Sequence, residues 1–331
     1  MLVIADDLTG AADTAGAFAV AGHRCVVVLH HARKGTHAVL ELGEEDDPAG
    51  IRIFDTDGRA MRQADACGAT TEIVRHSHSA ELFIKIDSTL RGHVRATVEA
   101  ALAGMRTPPA RIVVCPAFPS HGRSVVDGHV RLDGIAIDAP SLYELFAEVA
   151  GEIPVLIPDA LDDCDLSNIV ATETTSNEFP GPTLWVGSAG IARHLGTRTL
   201  VAAPAITLPL PARRVVVVAG SQHARTSEQL TRLDPGTETI LLDPRDAAFR
   251  DIAQEAILAA DGLVLTGGAT ARAVLDALHI DTLNIGGEVE SGVPWSTAVG
   301  ASGAIGVVTK AGGFGTPLTL QRAVRFLRRP E

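Results

Sequence analysis

The chain predicts two doubly wound α/β lobes with mostly parallel sheets and a cleft between them, on three observations. Short apolar or β-branched runs alternate with longer helical stretches through both halves. Residues 196–213 interrupt the alternation with Pro204, Pro209 and Pro211 and no periodicity, as connecting segments do. Most strand ends run into turns rich in Gly, Asp, Lys or Arg, and open α/β sheets bind ligands beyond the carboxyl ends of their strands.

In the first half, residues 2–5 read as the opening strand, followed by a small-residue helix over 10–21 capped by Thr9. Strands follow over 26–29 and 51–54, a helix over 60–76, a strand over 82–86, a helix over 94–105 and a strand over 112–115. The run Val125-Val126-Asp127-Gly128-His129-Val130 places Asp-Gly between alternating residues, the signal of a two-residue hairpin. A helix over 142–149 and strands over 155–157 and 184–186 complete this half, the last entering Gly187-Ser188-Ala189-Gly190 and a short helix.

The second half restarts with a strand over 215–218, then a helix from Thr226, a strand over 240–242 and a helix over 247–260. Strands over 263–265 and 305–309 each enter a glycine-rich turn; helices run to Leu278 and over 317–328. The expected domains are 1–205 and 206–331, each Rossmann-like in its winding.

Composition narrows the function. The 331 residues are 46% hydrophobic and 21% charged, an ordinary globular balance. A net charge of −12 argues against nucleic acid, whose binding rests on phosphate neutralisation, and one Tyr with two Trp leaves few stacking platforms. Cys25, Cys67, Cys115 and Cys164 are scattered, without metal-site or disulfide spacing, which fits a reducing cytoplasm. No apolar run approaches the ~20 residues of a membrane span.

Three charged turns stand out in the first ninety or so residues: Asp6-Asp7-Leu8-Thr9-Gly10, Asp55-Thr56-Asp57-Gly58-Arg59 and Lys85-Ile86-Asp87-Ser88-Thr89-Leu90-Arg91. Aspartates accept hydrogen bonds from hydroxyls, while Lys and Arg grip carboxylates or phosphates, so this mixed rim suits a small, hydroxyl-rich acid. Helix capping by one of the paired acids and a salt-bridged turn between Asp87 and Arg91 are the structural alternatives. A lone Lys85 could also snorkel to solvent. His121 and Arg123 follow a strand and can reach the same pocket, with His121 a second-rank base; His30-His31 and His76-Ser77-His78 read as surface residues.

The second half carries three glycine-rich turns after strands: Gly220-Ser221, Gly267-Gly268-Ala269-Thr270 and Gly312-Gly313-Phe314-Gly315. Such turns suit phosphate, because glycine admits close backbone approach and the helix beyond offers free N–H groups. Neither a P-loop nor a Gly-x-Gly-x-x-Gly after the first strand is present.

Taken together, IADDLTGAADTA at the start, KIDSTLRG from Lys85, PAFPSHGR from Pro116, GSAG from Gly187, TGGATA from Thr266, ESGVP from Glu290 and KAGGFG from Lys310 resemble the four-carbon acid sugar kinase family, in the family's order along nearly the whole chain. The resemblance implies a sugar-acid domain followed by a nucleotide domain, ATP with Mg²⁺ as phosphate donor, and a D-threonate, D-erythronate or 3-oxo-tetronate substrate, the KIDSTLRG form leaning to the first two. It implies substrate contacts at Asp6, Asp7, Arg59, Lys85, Ile86, Asp87, Ser88 and Arg91, and nucleotide contacts at Ser221, Gly267, Gly268, Ala269, Thr270, Gly312 and Gly313. Asp7 and Asp87 are the expected catalytic acids, with Arg59, Lys85 and Arg91 on the substrate carboxylate. A homodimer is compatible with this expectation. Two departures touch the nucleotide half: Ala269 stands where members often have Glu, and the stretch from Ser221 to Thr266 is short. They keep a non-catalytic sugar-acid sensor in view as an alternative; an NAD-dependent 2-hydroxy-acid dehydrogenase lacks its fingerprint.

Overall fold

The computed structural model describes residues 1–30, 50–77, 79, 81–149, 151–176, 178–198, 208–242, 256–300 and 303–329. The first half forms β1 (Leu2–Ala5), α1 (Leu8–Val20), β2 (Arg24–Leu29), β3 (Gly50–Asp55), α2 (Gln63–His76), β4 (Leu82–Lys85), α3 (Val94–Gly104) and β5 (Arg111–Cys115). A small antiparallel sheet of β6 (Arg123–Val126), β7 (His129–Leu132) and β8 (Ile135–Ala136) follows. Then come α4 (Leu142–Phe146), β9 (Val155–Leu156), α5 (Asp163–Thr175), β10 (Thr183–Gly187) and α6 (Ala189–Thr197). The second half holds β11 (Val215–Ala219), α7 (Ala224–Leu230), β12 (Glu238–Leu241), β13 (Gly262–Thr266), α8 (Gly268–Ala277), β14 (Thr282–Glu290), β15 (Val293–Gly300), β16 (Gly303–Lys310) and α9 (Thr319–Leu327).

The first-half strands run parallel in the order β2-β3-β1-β4-β10-β5-β9, and β12-β11-β13-β16 run parallel in the second half. β15 and β14 then turn back antiparallel from β16, and β14 pairs antiparallel with β2. The two lobes are therefore halves of one 13-stranded sheet, joined edge to edge. β14 and β15 escape a sequence reading because Gly286, Gly287, Gly292 and Pro294 break their periodicity; the register shifts beside Gly287 show where the ladder absorbs them.

Most other expected elements form within a few residues of their expected bounds. The Asp127-Gly128 hairpin is present, both residues left-handed at φ 50° and 71° as a type I′ turn requires. Helix α1 starts at Leu8, and its N-cap is Asp7, not Thr9: the Asp7 carboxylate accepts from the Gly10 amide. Helix α2 starts at Gln63 rather than residue 60. Helix α5 lacks an expected counterpart because only Leu166, Ile169 and Val170 of its acid- and threonine-rich run are buried; a capping box between Asp162 and Asp165 starts it. The helix expected over 247–260 lies largely outside the described residues, as do His31 and His78. His30 is buried, not on the surface, with its carbonyl accepting from Arg272.

Helix α1 is the centre of the packing. Every residue from Leu8 to Ala19 is buried, so small side chains (five Ala and two Gly in that span) are what let neighbours approach from all sides. A Cβ built on Gly16 would stand 3.1 Å from both Glu288 and Pro294 of the other half. Among the described residues, two ion pairs tie the halves together. Arg272 of α8 donates to Asp55 Oδ2 at 2.9 Å, where Asp55 ends β3 fully buried, and also to Asp276. Arg193 of α6 donates to both oxygens of Glu288 at 2.8 Å.

Removing one member of the Asp55–Arg272 pair leaves the other's charge in the interior. Arg272→Leu should therefore lower stability by about 3–5 kcal/mol. A denaturant midpoint unchanged from the parent protein would show that this tie does not hold the halves together.

Candidate active site

Strand register explains why the charged turns meet. Asp55, Ala5, Lys85, Gly187 and Cys115 pair in one row across β3, β1, β4, β10 and β5, so the segments that follow them all rise from one edge. The winding reverses at β1, between β3 and β4, and such a switch point opens a crevice for ligands. In the second half, Leu241, Ala219, Thr266 and Lys310 form the corresponding row, with a second switch between β11 and β13.

A pocket, part of it open to solvent, fills the first crevice and reaches the second half. It is lined by Asp7, Thr9, Gly10, Asp13, Arg59, Lys85, Asp87, Ser88, Thr89, Arg91, Phe118, Arg123, Ser188 and Ala189, with Ala311 and Phe314 from the second half. Of the expected substrate residues, Asp6 and Ile86 stand just behind this lining. Ile86 contributes only its carbonyl, which accepts from Lys85 Nζ at 3.0 Å.

Arg59 is the electrostatic hub. Its Nε and Nη2 donate to Asp6 at 3.0 and 2.7 Å, Nη2 lies 3.2 Å from Asp7 Oδ1, and Nη1 lies 3.6 Å from Asp87 Oδ1. Burial pushes the Asp6 carboxyl up, against the pull of Arg59. Asp87 is also pushed up by burial, but bonds from Arg91 and Thr89 and the charge of Arg59 hold it well below the usual carboxylate range. Arg91 donates to Asp87 from Nε and Nη2, so the expected salt-bridged turn forms within the pocket wall. Leu90, in the same turn, is left-handed at φ 62°, and a Cβ on the following Gly92 would meet Asp6 Oδ2 at 2.6 Å.

Lys85 does not snorkel: it is 6% exposed, its ammonium beside Gly10 on the pocket wall. A Cβ on Gly10 would stand 2.6 Å from Asp7 Oδ1 and 2.7 Å from Lys85 Nζ, so a side chain there would have to displace these two charged groups. Two charged lining residues exceed the expected set. Arg123, noted from sequence as able to reach the pocket, lies over the Phe314 ring. Asp13 was missed, although it shares a helix face with Thr9 and Gly10 at the i, i+3 and i+4 spacings.

The three glycine turns of the second half converge. A Cβ on Gly267, which is left-handed at φ 99°, would lie 3.3 Å from the Ser221 amide nitrogen; one on Gly312 would overlap Ser221 Oγ, and one on Gly220 would overlap Thr270. Gly313 packs beside His223, which sequence reading did not single out. The last turn is held from behind. Lys310 Nζ donates to the carbonyls of Ala311 and Gly312 at 2.8 and 2.9 Å, Thr226 donates to Gly312, and Gln229 donates to Phe314 and Thr316. Glu290 braces the same loop through the Thr316 amide, Thr319 and Arg322. Ala269 is exposed on the first turn of α8, so lacking a longer side chain there costs no packing.

The halves touch beside the pocket. A Cβ on Gly268, at the start of α8, would stand 2.9 Å from Asp7 Oδ2, the oxygen that accepts from Thr9. Phe314 stacks on His121 with centroids 3.9 Å apart and meets Phe118 edge-on at 5.7 Å. His121 is thus part of an aromatic wall, its pKa pushed down to about 4 by burial, with Arg123 and Arg193 adding to the effect.

Comparison with known proteins matches residues 1–144 to a sugar-binding N-terminal domain and residues 246–320 to a nucleotide-binding C-terminal domain. The chain is 30% identical to a D-threonate kinase of Bordetella bronchiseptica, across 98% of this chain and 97% of that one. It is 29% identical to a D-threonate kinase of Cupriavidus necator (97% and 96%) and 25% identical to a 3-oxo-tetronate kinase of the same organism (98% and 96%). The alignment with the Bordetella protein runs over 408 positions against 331 residues here, so the relative carries insertions that this chain lacks. Among solved structures, a Salmonella typhimurium protein described as a putative tRNA synthase shares the fold with a TM-score of 0.70 at 18% identity, covering 98% of each chain. A Haemophilus influenzae protein does so at 0.65 and 16%, covering 98% of this chain and 99% of its own. With such similarity running almost end to end, the chain belongs to the four-carbon acid sugar kinase family.

Proposed function

We propose that this protein is an ATP-dependent kinase that phosphorylates the terminal hydroxyl of a four-carbon sugar acid. D-threonate or D-erythronate is favoured over a 3-oxo-tetronate, in keeping with the higher identity to D-threonate kinases. The observation that carries this reading is the approach of Gly268 to Asp7, which sets a helix N-terminus suited to phosphate beside a pocket suited to a hydroxy acid. Residues 1–205 then supply the acid site and residues 206–331 the nucleotide site. ATP use assigns the reaction to the cytoplasm; no helix among the described residues is long and apolar enough to cross a membrane.

Phosphoryl transfer needs positioning and charge neutralisation more than covalent help. In this reading Lys85 and Arg123 take the substrate carboxylate, since Arg59 and Arg91 are committed to carboxylates of the protein. Arg59 and Arg91 instead brace Asp7 and Asp87, which accept from the substrate's hydroxyls. Backbone N–H groups of Ser221, the Gly267-Gly268-Ala269-Thr270 turn and Gly312-Gly313 cradle the phosphates. Asp7, beside Gly268 at the junction of the halves, would be the carboxylate placed to hold Mg²⁺ carried on the phosphates. When bound, Mg²⁺ would neutralise charge on the transferring group. Phe118, His121 and Phe314 wall the pocket against water.

An ADP-release assay across D-threonate, D-erythronate, L-threonate and a 3-oxo-tetronate tests the reading; no ADP release with any of them would sink it. Acid binding without turnover in calorimetry would point to the sensor instead. Lys85→Ala removes a charge-assisted hydrogen bond worth about 1.5–3 kcal/mol, so KM for the acid should rise at least about tenfold with KM for ATP little changed. Gly268→Ala pushes a methyl into Asp7 at a cost of about 1–3 kcal/mol, and should lower kcat/KM for ATP by roughly tenfold or more; parental kinetics would remove that junction from the site.

A further inference from the structure

We propose that Asp13 is the catalytic base, taking the proton of the substrate hydroxyl as that oxygen attacks the γ-phosphate. The inference rests on the kinase reading above and names a residue outside its expected acids. Asp13 lies on the pocket face of α1, 5% exposed, and its Oδ1 is buried without a hydrogen-bond partner. Buried carboxylate oxygens are rarely left so; a purely structural Asp would be bonded to backbone or to a neighbouring side chain.

The other two pocket acids are engaged. Asp7 accepts from the Gly10 amide, from Thr9 and, in an ion pair, from Arg59. Asp87 accepts from Thr89 and twice from Arg91, a set of partners that makes it a weak proton acceptor. Around Asp13 stand Lys85 from β4, Glu288 from β14, Arg193 from α6 and Asp7 at the start of its own helix. Arg193 is paired with Glu288, so Lys85 is the cation left to face Asp13. Lys85 spends one of its three donors on the Ile86 carbonyl, leaving two for substrate and Asp13. An acid held by Lys85 would thus bring its hydroxyls to the same wall.

Burial pushes the Asp13 carboxyl up to about 7, with Lys85 pulling the other way. A base is most effective near its operating pH. In the step itself the hydroxyl oxygen bonds to the γ-phosphorus. The bond from that phosphorus to the β,γ-bridging oxygen breaks, its electron pair leaving with ADP. The hydroxyl proton passes to Asp13 Oδ1 and then to water.

Steady-state kinetics and calorimetry on Asp13→Asn with D-threonate or D-erythronate, whichever the parent turns over, test this. kcat should fall about 10²–10⁴-fold while acid binding, measured with a non-hydrolysable ATP analogue, stays close to the parent's. The parent's kcat should fall as pH drops through about 7, where Asp13 gains its proton, and that limb should vanish in the variant's residual activity. Near-parental kcat in Asp13→Asn, or lost acid binding in a folded variant, would overturn the assignment. Should the variant fail to fold, the parent's profile decides: kcat flat from below to above pH 7 overturns it, and a limb there supports it. A parent that phosphorylates neither acid defeats the kinase reading and this proposal with it; an active parent with an unaffected variant defeats this proposal alone.

Discussion

Burial of helix α1 on every side is the constraint from which the site follows. A helix exposed on one face can slide or tilt at little cost, whereas one enclosed by both halves of a sheet cannot. Its Ala- and Gly-rich sequence permits the enclosure: Gly16 admits Glu288 and Pro294 from one side, and the helix packs Phe18 and Ala21 against Gly196 on another. Asp7, Thr9, Gly10 and Asp13 all project from this one element, so their positions are set against both halves at once. The ion pairs Asp55–Arg272 and Arg193–Glu288 flank the helix and hold the same junction.

Electrostatics then decides which charges remain for a ligand. A chain of net charge −12 must gather cations locally to receive an anion, and this pocket does so with Arg59, Lys85, Arg91 and Arg123. Two of the four offset the cost of burying Asp6, Asp7 and Asp87, which would otherwise be severe. Lys85 and Arg123 carry the remaining positive charge in a pocket that Phe314 also lines. In the other half, Lys310 spends its ammonium on loop carbonyls, its own pKa pushed down to about 7 by burial, so charge there shapes a turn rather than lining the pocket.

Much of this was legible along the chain, for local reasons. Apolar runs such as Leu2–Ala5 and Val215–Ala219 announce buried parallel strands, and the polar or glycine turn after each follows directly in sequence. The type I′ hairpin at Asp127-Gly128 needs only two residues to specify it. Elements that depend on distant partners were hidden. β14 and β15 form because β2 and β16 offer them edges, against their own glycines and proline. The cap of α1 went to Asp7 rather than Thr9, since Asp7 also answers Arg59.

The sequence by itself determined the alternation of strands and helices, the chemistry at each strand end and the family resemblance, because each is written in neighbouring residues or in their order. Only the tertiary structure decided which charges pair and which stay open. Arg272 finds Asp55 across 217 residues and Arg193 finds Glu288 across 95, distances over which no local pattern carries information. Asp13 is open for the same physical reason: whether a carboxylate has a partner depends on what packs against it in space.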